Sequence, residues 1–200
     1  MTINNFAMKN TKDCIHLNAA KKMKIKIDDQ ARILYVNDYF TNVTNFKVSD
    51  VILKDFNYIL DPSMPKLAKD KLDEVAHQFE EFYFIYKGIT KNEDCYWGFV
   101  KVTQRFNDQN EFVGYLLEVK MLPTAAINKI DKLYNVLSEI EKNAGIEAAK
   151  KYLDGFIEEK NMNFNEFMLA LVEVDEKKAQ KYFEIDEDAS PVKKKKRGWF

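Results

Sequence analysis

Few side chains in this sequence could act as a nucleophile, a base or a metal ligand. The two histidines are His16 and His77, and neither lies near a plausible nucleophile, so no Ser-His-Asp or Cys-His arrangement is indicated. The two cysteines, Cys14 and Cys95, form no C-x-x-C pair and have no companion histidine cluster. This pattern supports neither a zinc site nor a disulfide framework and predicts two free thiols. We therefore expect that the protein is not an enzyme.

A stiff loop is the first sign of a binding site. Residues 60–65 read LDPSMP, so two of the four prolines, Pro62 and Pro65, stand three positions apart. Each proline fixes φ and lacks an N–H, which holds a loop in one shape and favours the start of a helix just after it. The sequence predicts a rigid wall here.

Apolar residues alternate with polar ones in two groups of segments, which predicts five strands. Residues 23–28 and 32–37 form a hairpin. An amphipathic helix is expected over 66–79. The later strands are expected at 81–90, 95–103 and 112–121. Two strands, several short helices and three strands indicate an α+β fold, a five-stranded antiparallel sheet with short helices on one face.

A C-terminal helical extension follows the sheet. Pro123 ends the last strand, and an apolar stripe from Ile127 to Ile140 predicts one helix. Asn163 and Glu166 have the spacing of a capping box that begins a later helix. The expected organisation is an N-terminal cap (1–22), the sheet domain (23–122), a helix (123–143), a helical module (144–186) and a disordered basic-aromatic tail (187–200).

Composition narrows the class of protein and of partner. A hydrophobic fraction of 46% with 15 Phe and 10 Tyr indicates a folded, aromatic-rich interior. The net charge of −1 gives no basic field, so nucleic acid is not an expected partner. The sequence contains no apolar run that could span a bilayer and no signal peptide, which predicts a cytoplasmic protein. The basic and aromatic residues at 193–200 could make weak contact with an anionic membrane surface.

Short matches in one order carry a family resemblance. They are I-x-Y-V-N-D-Y-F, T-N-F-K-V-S-D-V-I, D-P-S-M-P, K-N-E-D-C-Y-W and V-G-Y-L. Together they resemble a PAS domain, the ligand-binding and signalling fold of sensor proteins. This domain is similar to the PAS domains of aerotaxis receptors and of soluble energy-taxis proteins that work beside a separate membrane chemoreceptor. The resemblance covers about residues 20–140 and includes the helix after the sheet.

The resemblance implies a pocket for FAD that reports redox state. A flavin needs flat apolar surfaces for its ring, amide or hydroxyl partners for its polar edge, and positive charge for its pyrophosphate. The cofactor-binding residues implied in this way are Asn37, Phe40, Asn57, Tyr58, Ser63, Phe82, Phe84 and Trp97. Tyr96 and Trp97 are adjacent in a strand and must point to opposite faces, so at most one of them lines the pocket.

Several positions depart from the family pattern. Its Arg-His pair is replaced by Leu60-Asp61, its strand tryptophan by Phe82 and the asparagine that follows by Gly88. The lost charge-assisted hydrogen bonds are worth roughly 1.5–3 kcal/mol each. No arginine lies in the candidate pocket, so Lys54, Lys66 or Lys87 would have to meet the pyrophosphate. FAD is therefore the suspected cofactor and an empty or differently filled pocket is the alternative. Haem is not expected, because a suitable axial histidine is lacking.

The function implied by the resemblance is redox or energy sensing. A cytoplasmic PAS protein would relay its state to a membrane chemoreceptor or another signalling protein, and it could form a homodimer. The alternative is a cofactor-free PAS adaptor that assembles other proteins. A flavin-dependent enzyme is the least favoured interpretation.

Overall fold

A computed structural model describes residues 14–76 and 78–185 of the chain. The interpretations made above for His77 and for the tail at 187–200 fall outside the described residues, and so does most of the N-terminal cap. All elements named below belong to the described part.

Five antiparallel strands form the sheet, as the sequence predicts. They are β1 (Met23–Ile27), β2 (Ile33–Val36), β3 (Glu81–Ile89), β4 (Cys95–Phe106) and β5 (Phe112–Met121). Their order across the sheet is β2-β1-β5-β4-β3, so the first strand lies beside the last. β3 is an edge strand. The stiff loop covers part of that edge, because Asp61 donates its backbone N–H to the carbonyl of Lys87 over 2.8 Å.

Short helices cover the inner face of the sheet. They are α1 (Asp38–Thr44), α2 (Val48–Val51), a 3₁₀ turn (Phe56–Ile59) and α3 (Lys66–Ala76), which starts directly after Pro65. Asn37 begins α1 by accepting a hydrogen bond from the backbone N–H of Phe40. The inner face is strongly aromatic: Phe82, Phe84 and Tyr86 alternate along β3 and are fully buried.

The C-terminal extension covers the outer face of the same sheet. It consists of α4 (Thr124–Ala144), α5 (Ile146–Glu158), α6 (Phe164–Val172) and α7 (Glu176–Glu184). The ring of Trp97 in β4 packs on Tyr134 of α4, with ring centroids 6.0 Å apart. Phe183 of α7 packs on Phe99 of β4 at 5.3 Å. The sheet is therefore enclosed on both sides, and none of the helices described is long and apolar enough to cross a membrane.

Two buried lysines hold the end of α7 on the sheet. Lys120 in β5 donates hydrogen bonds to the carbonyls of Tyr182 and Ile185 at 3.0 and 2.7 Å. Lys22 donates to the carbonyl of Phe183 at 2.7 Å and also pairs with Glu118. Cations at a helix C-terminus satisfy its last carbonyls and complement its dipole. The last described helix is thus fixed in place by one residue of β5 and by the residue that directly precedes β1.

The prediction of two free thiols is wrong. Cys14 and Cys95 form a disulfide, although 81 positions separate them in the sequence. The segment before β1 runs beside the start of β4, where Ile15 makes a parallel bridge to Tyr96 and donates its N–H to the carbonyl of Cys95 over 2.7 Å. This pairing brings the two cysteine Cα atoms to 4.6 Å, within the range that a disulfide requires.

Candidate ligand-binding site

A cavity of about 370 Å³ lies between the inner face of the sheet and the elements that cover it. Ligand pockets in proteins span roughly 300–1,000 Å³, so this cavity suits a small molecule. The sheet, the β1–β2 turn, the 3₁₀ turn and α3 all contribute lining residues, which are Ile27, Asp29, Gln30, Ala31, Asp55, Phe56, Asn57, Lys69, Ala76, Phe82, Val102, Tyr115 and Leu117.

Three neighbouring strands supply an apolar floor. Phe82 pairs with Val102, and Val102 pairs with Leu117, so these side chains form a row across β3, β4 and β5. Each is 2% exposed or less. Phe56 approaches from the 3₁₀ turn and is buried as well. These surfaces can hold a flat apolar ring, which is the largest single demand of an aromatic ligand.

Polar side chains from two turns stand at the mouth of the cavity. Asp29 and Gln30 belong to the β1–β2 turn, Asn57 belongs to the 3₁₀ turn, and Asp55 directly precedes that turn. Asp55 caps its turn by accepting the backbone N–H of Asn57 at 2.8 Å. Lys69 of α3 is the cation among the lining residues. The charged residues of the lining are thus two carboxylates and one ammonium group, a balance that favours hydrogen-bond donors over anions.

Aromatic side chains fill the inner face toward the start of β4. The hydroxyls of Tyr86 and Tyr96 lie 3.0 Å apart, and both side chains are fully buried. Burial raises the pKa of both hydroxyls, so the pair stays neutral. The absence of a side chain at Gly88 makes room for the Tyr96 ring, because a Cβ at Gly88 would stand 2.2 Å from that ring. The space beside Gly88 is thus occupied by protein.

The structure brings two of the sequence-predicted site residues to the cavity, Asn57 and Phe82. Phe40 and Phe84 are buried in the core but do not line it. Asn37 is engaged as the α1 cap and also binds the backbone of Lys24.

The other three sequence-predicted residues lie elsewhere. Tyr58 is 49% exposed and packs on Phe46 at the surface. Ser63 accepts a hydrogen bond from Lys87 outside the cavity. Trp97 lies on the outer face of the sheet, whereas its neighbour Tyr96 lies on the inner face. Neither residue lines the cavity, which is consistent with the expectation that at most one of the two would do so.

Sequence reasoning missed most of the polar mouth. Asp29, Gln30 and Asp55 occupy turns, where no hydrophobic periodicity shows which way a side chain points. Lys69 lies on the helix that the sequence predicts, but its position in that helix indicates only weakly that it lines a cavity. The expected cations, Lys54, Lys66 and Lys87, do not line the cavity. Lys87 binds Ser63 and Asp61 instead.

Helix α4 is bonded to both the sheet and the wall of the cavity. Tyr134 donates its hydroxyl to the carbonyl of Ile85 in β3 over 2.7 Å. Farther along α4, the carboxylate of Glu141 accepts the backbone N–H groups of Lys66 and Leu67 at 3.0 and 2.7 Å. Those groups are the first turn of α3, which contributes Lys69 to the cavity. One helix therefore touches two elements that enclose the site.

The lining residues fit part of a flavin. Phe56 and Phe82 offer flat surfaces for a ring, and Asn57 and Gln30 offer amides for its polar edge. A pyrophosphate, however, would meet Asp29 and Asp55 with Lys69 as the sole cation of the lining, and the lining includes neither an arginine nor a glycine-rich phosphate loop. The residues present suit a ring without phosphate and do not fit FAD.

Comparisons with known proteins identify the domain. Residues 23–120 match the family model described as a PAS domain. A light-oxygen-voltage domain studied with a flavin analogue is 16% identical, with a TM-score of 0.50 over 56% of this chain and 86% of that chain. The light-state structure of the blue-light photoreceptor Aureochrome1 LOV is 13% identical, with a TM-score of 0.51 over 58% of this chain and 93% of that chain. No curated protein is significantly similar to the chain in sequence. Residues 23–120 are a PAS domain, and at these identities the two structures support the fold alone.

Proposed function

We propose that this protein is a PAS sensory protein that converts occupancy of its cavity into a change at helix α4. The observation that carries the proposal is the double attachment of α4. Tyr134 ties the helix to β3, and Glu141 ties it to the start of α3. A ligand that moves α3 relative to the sheet cannot leave both attachments unchanged, and a signalling partner can read the result on the helical layer.

The ligand class follows from the lining. A planar, largely apolar molecule that carries hydrogen-bond donors suits the aromatic floor and the carboxylates of Asp29 and Asp55. Riboflavin has the flavin ring and donor hydroxyls without phosphate, so it is the natural probe. FAD, which the resemblance to aerotaxis proteins suggests, remains the specific alternative, although the mouth opposes its pyrophosphate.

Two measurements on the full chain test the ligand. The first is the absorbance spectrum of the purified protein, and the second is the shift of its unfolding midpoint on adding riboflavin or FAD. We expect riboflavin to raise the midpoint and FAD at equal concentration to raise it less. Asn57→Ala should reduce the riboflavin shift, whereas Tyr58→Ala, at an exposed site outside the cavity, should leave it unchanged. Flavin bands that are bleached by dithionite and extracted as FAD would overturn the phosphate-free ligand and support the redox sensor.

A cofactor-free adaptor is the second candidate. It is favoured by the way Tyr86 and Tyr96 fill the inner face where space for a larger ligand would otherwise lie. In that case neither flavin shifts the midpoint, the protein is colourless, and the helices on the outer face serve only assembly. The same titration therefore separates the two candidates.

The partner is proposed to be a membrane chemoreceptor or another signalling protein that acts in trans from a cytoplasmic PAS protein. The basic-aromatic stretch at 193–200 would add weak contact with anionic lipid. A pull-down that compares the full chain with one ending at Pro191 tests how much the residues after Pro191 contribute to partner binding. A homodimer that used the outer sheet face would first have to displace α4 and α7 from it.

A further inference from the structure

A second concave surface lies among the C-terminal helices and shares no lining residue with the ligand cavity. This surface, the α4–α6 groove, has a volume of about 490 Å³. Leu133 and Val136 of α4 form one wall, and Tyr152 and Phe156 of α5 form the other. Phe167, Ala170 and Leu171 of α6, with Met162 before that helix, complete the apolar lining. Val136 and Tyr152 are 40% and 44% exposed.

The aromatic side chains of the groove are ordered against one another. The rings of Tyr152 and Phe156 are parallel to within 6°, and Phe167 meets Phe156 edge-on with centroids 5.7 Å apart. Large aromatic surfaces and an adaptable methionine are typical of sites that receive an apolar helix face. Exposed apolar patches of this kind mark interaction sites more often than they mark chance exposure.

All the charged residues that line the groove are lysines. Lys129, Lys132 and Lys160 are among its lining residues, and the lining contains no carboxylate. Glu173 lies nearby and pairs with Lys129. The ammonium of Lys160 stands 5.0 Å from the Phe156 ring centroid, so the positive charge lies directly beside the apolar lining. A ligand with an apolar face flanked by carboxylates would match both features.

From this arrangement we propose that the α4–α6 groove binds an acidic amphipathic helix of a partner protein. Apolar anchors of that helix at i, i+3 or i+4, and i+7 would lie on the aromatic lining, and its flanking Asp or Glu side chains would meet Lys132 and Lys160. The chain's own tail is a poorer occupant, because residues 193–197 read KKKKR and carry the same charge as the lysines. This proposal names the kind of partner that would read the change at α4, and in that respect it rests on the proposed function.

Selection from an unbiased library of helical peptides of about 16 residues, long enough for four turns, tests the groove on the full chain. We expect the recovered peptides to carry surplus Asp and Glu around an apolar stripe. In fluorescence anisotropy, the double variant Lys132→Glu, Lys160→Glu should weaken their binding by about tenfold or more, and the loss should shrink at high salt. Lys151→Glu is the matched control, because Lys151 is an exposed lysine of α5 that does not line the groove.

Several outcomes would overturn the proposal. They are recovery of no peptide, recovery of basic or neutral peptides, or binding that the double variant leaves unchanged. A dimer of the chain in solution that Tyr152→Glu dissociates would assign the groove to a second copy instead. Failure of the riboflavin titration leaves these results intact, so the groove and the ligand cavity fail separately.

Discussion

The carboxylate of Glu141 in α4 accepts the backbone N–H of Leu67 in α3 over 2.7 Å, across 74 positions of sequence. It accepts the N–H of Lys66 as well, at 3.0 Å. The first N–H groups of a helix have no partner within the helix, and a carboxylate there also meets the positive end of the helix dipole. A side chain of the outgoing helix thus caps the helix that forms a wall of the ligand cavity.

Replacing Glu141 should uncouple these two helices. Glu141→Ala removes the cap and is expected to cost about 0.5–2 kcal/mol in the free energy of unfolding, as other capping losses do. Hydrogen exchange at Lys66 and Leu67 should accelerate, and ligand binding should no longer change exchange in α4. Glu139→Ala, at an exposed site two positions earlier, is the control. Unaltered exchange at Leu67 in the Glu141 variant would show that the cap does not hold α3.

Adding one methyl group at Gly88 should disturb the buried tyrosine pair. A Cβ at Gly88 would overlap the Tyr96 ring, whereas a Cβ at Gly155 in α5 meets nothing within 4 Å. Gly88→Ala is expected to destabilise the protein by about 1–3 kcal/mol, as overpacked cores do. Gly155→Ala should be neutral or stabilising by up to about 1 kcal/mol, because alanine is the better helix former. Urea unfolding measures both, and equal midpoints for the two variants would contradict the packing described here.

Reduction of the Cys14–Cys95 disulfide should loosen the segment before β1. A cross-link over a long loop typically stabilises a protein by roughly 2–4 kcal/mol by restricting the unfolded chain. We expect dithiothreitol to lower the unfolding midpoint and to speed hydrogen exchange at Ile15, whose N–H is bonded to Cys95. In the double variant Cys14→Ser, Cys95→Ser, dithiothreitol should have no effect. A reductant effect that persists in this variant would point to another cause.

Acid should weaken the β1–β2 turn through Asp28. Burial raises the pKa of this carboxyl, but hydrogen bonds from the backbone of Arg32 and Gln30 and from the Arg32 guanidinium outweigh burial, so the pKa lies below its usual value. The ionised form therefore contributes stability at pH values above the unfolded-state pKa of about 3.9, and this contribution is lost as the pH falls through the folded-state pKa.

Asp28→Asn should remove that part of the acid dependence and cost about 1.5–3 kcal/mol at neutral pH, the range for hydrogen bonds to charged groups. Unfolding midpoints measured from pH 7 down to acid check it. Asp108→Asn in the exposed β4–β5 turn is the control. Parallel pH profiles for the wild-type protein and the Asp28 variant would contradict the assignment.

Much of the fold could be predicted because its signals are local. Alternation over 23–28 and over the three later strands identifies the sheet, and the stripe from Ile127 to Ile140 identifies α4. Asn163 and Glu166 form the predicted capping box. The coverage of the outer face was harder to foresee, since the contact of Phe183 with Phe99 depends on how the last helix returns to the sheet.

The candidate site was less predictable because it depends on turns and on distant pairings. The family resemblance implied Phe82, but Asp29 and Asp55 have no pattern that directs them toward a cavity. The choice between Tyr96 and Trp97 required knowing which face of β4 meets α4. The disulfide escaped prediction because sequence separation says nothing about the bridge from Ile15 to Tyr96.

The two ends of the described chain rest against the same corner of the sheet. Ile15 lies beside Tyr96 near the start of β4, and the carbonyl of Ile185 is bound by Lys120, whose strand runs next to β4. A circular permutant that omits residues 1–13 and 186–200, joins Cys14 and Ile185 through a flexible linker and opens the β4–β5 turn should therefore keep its native strand pairing. Such a permutant gives a route to placing reporters away from that corner.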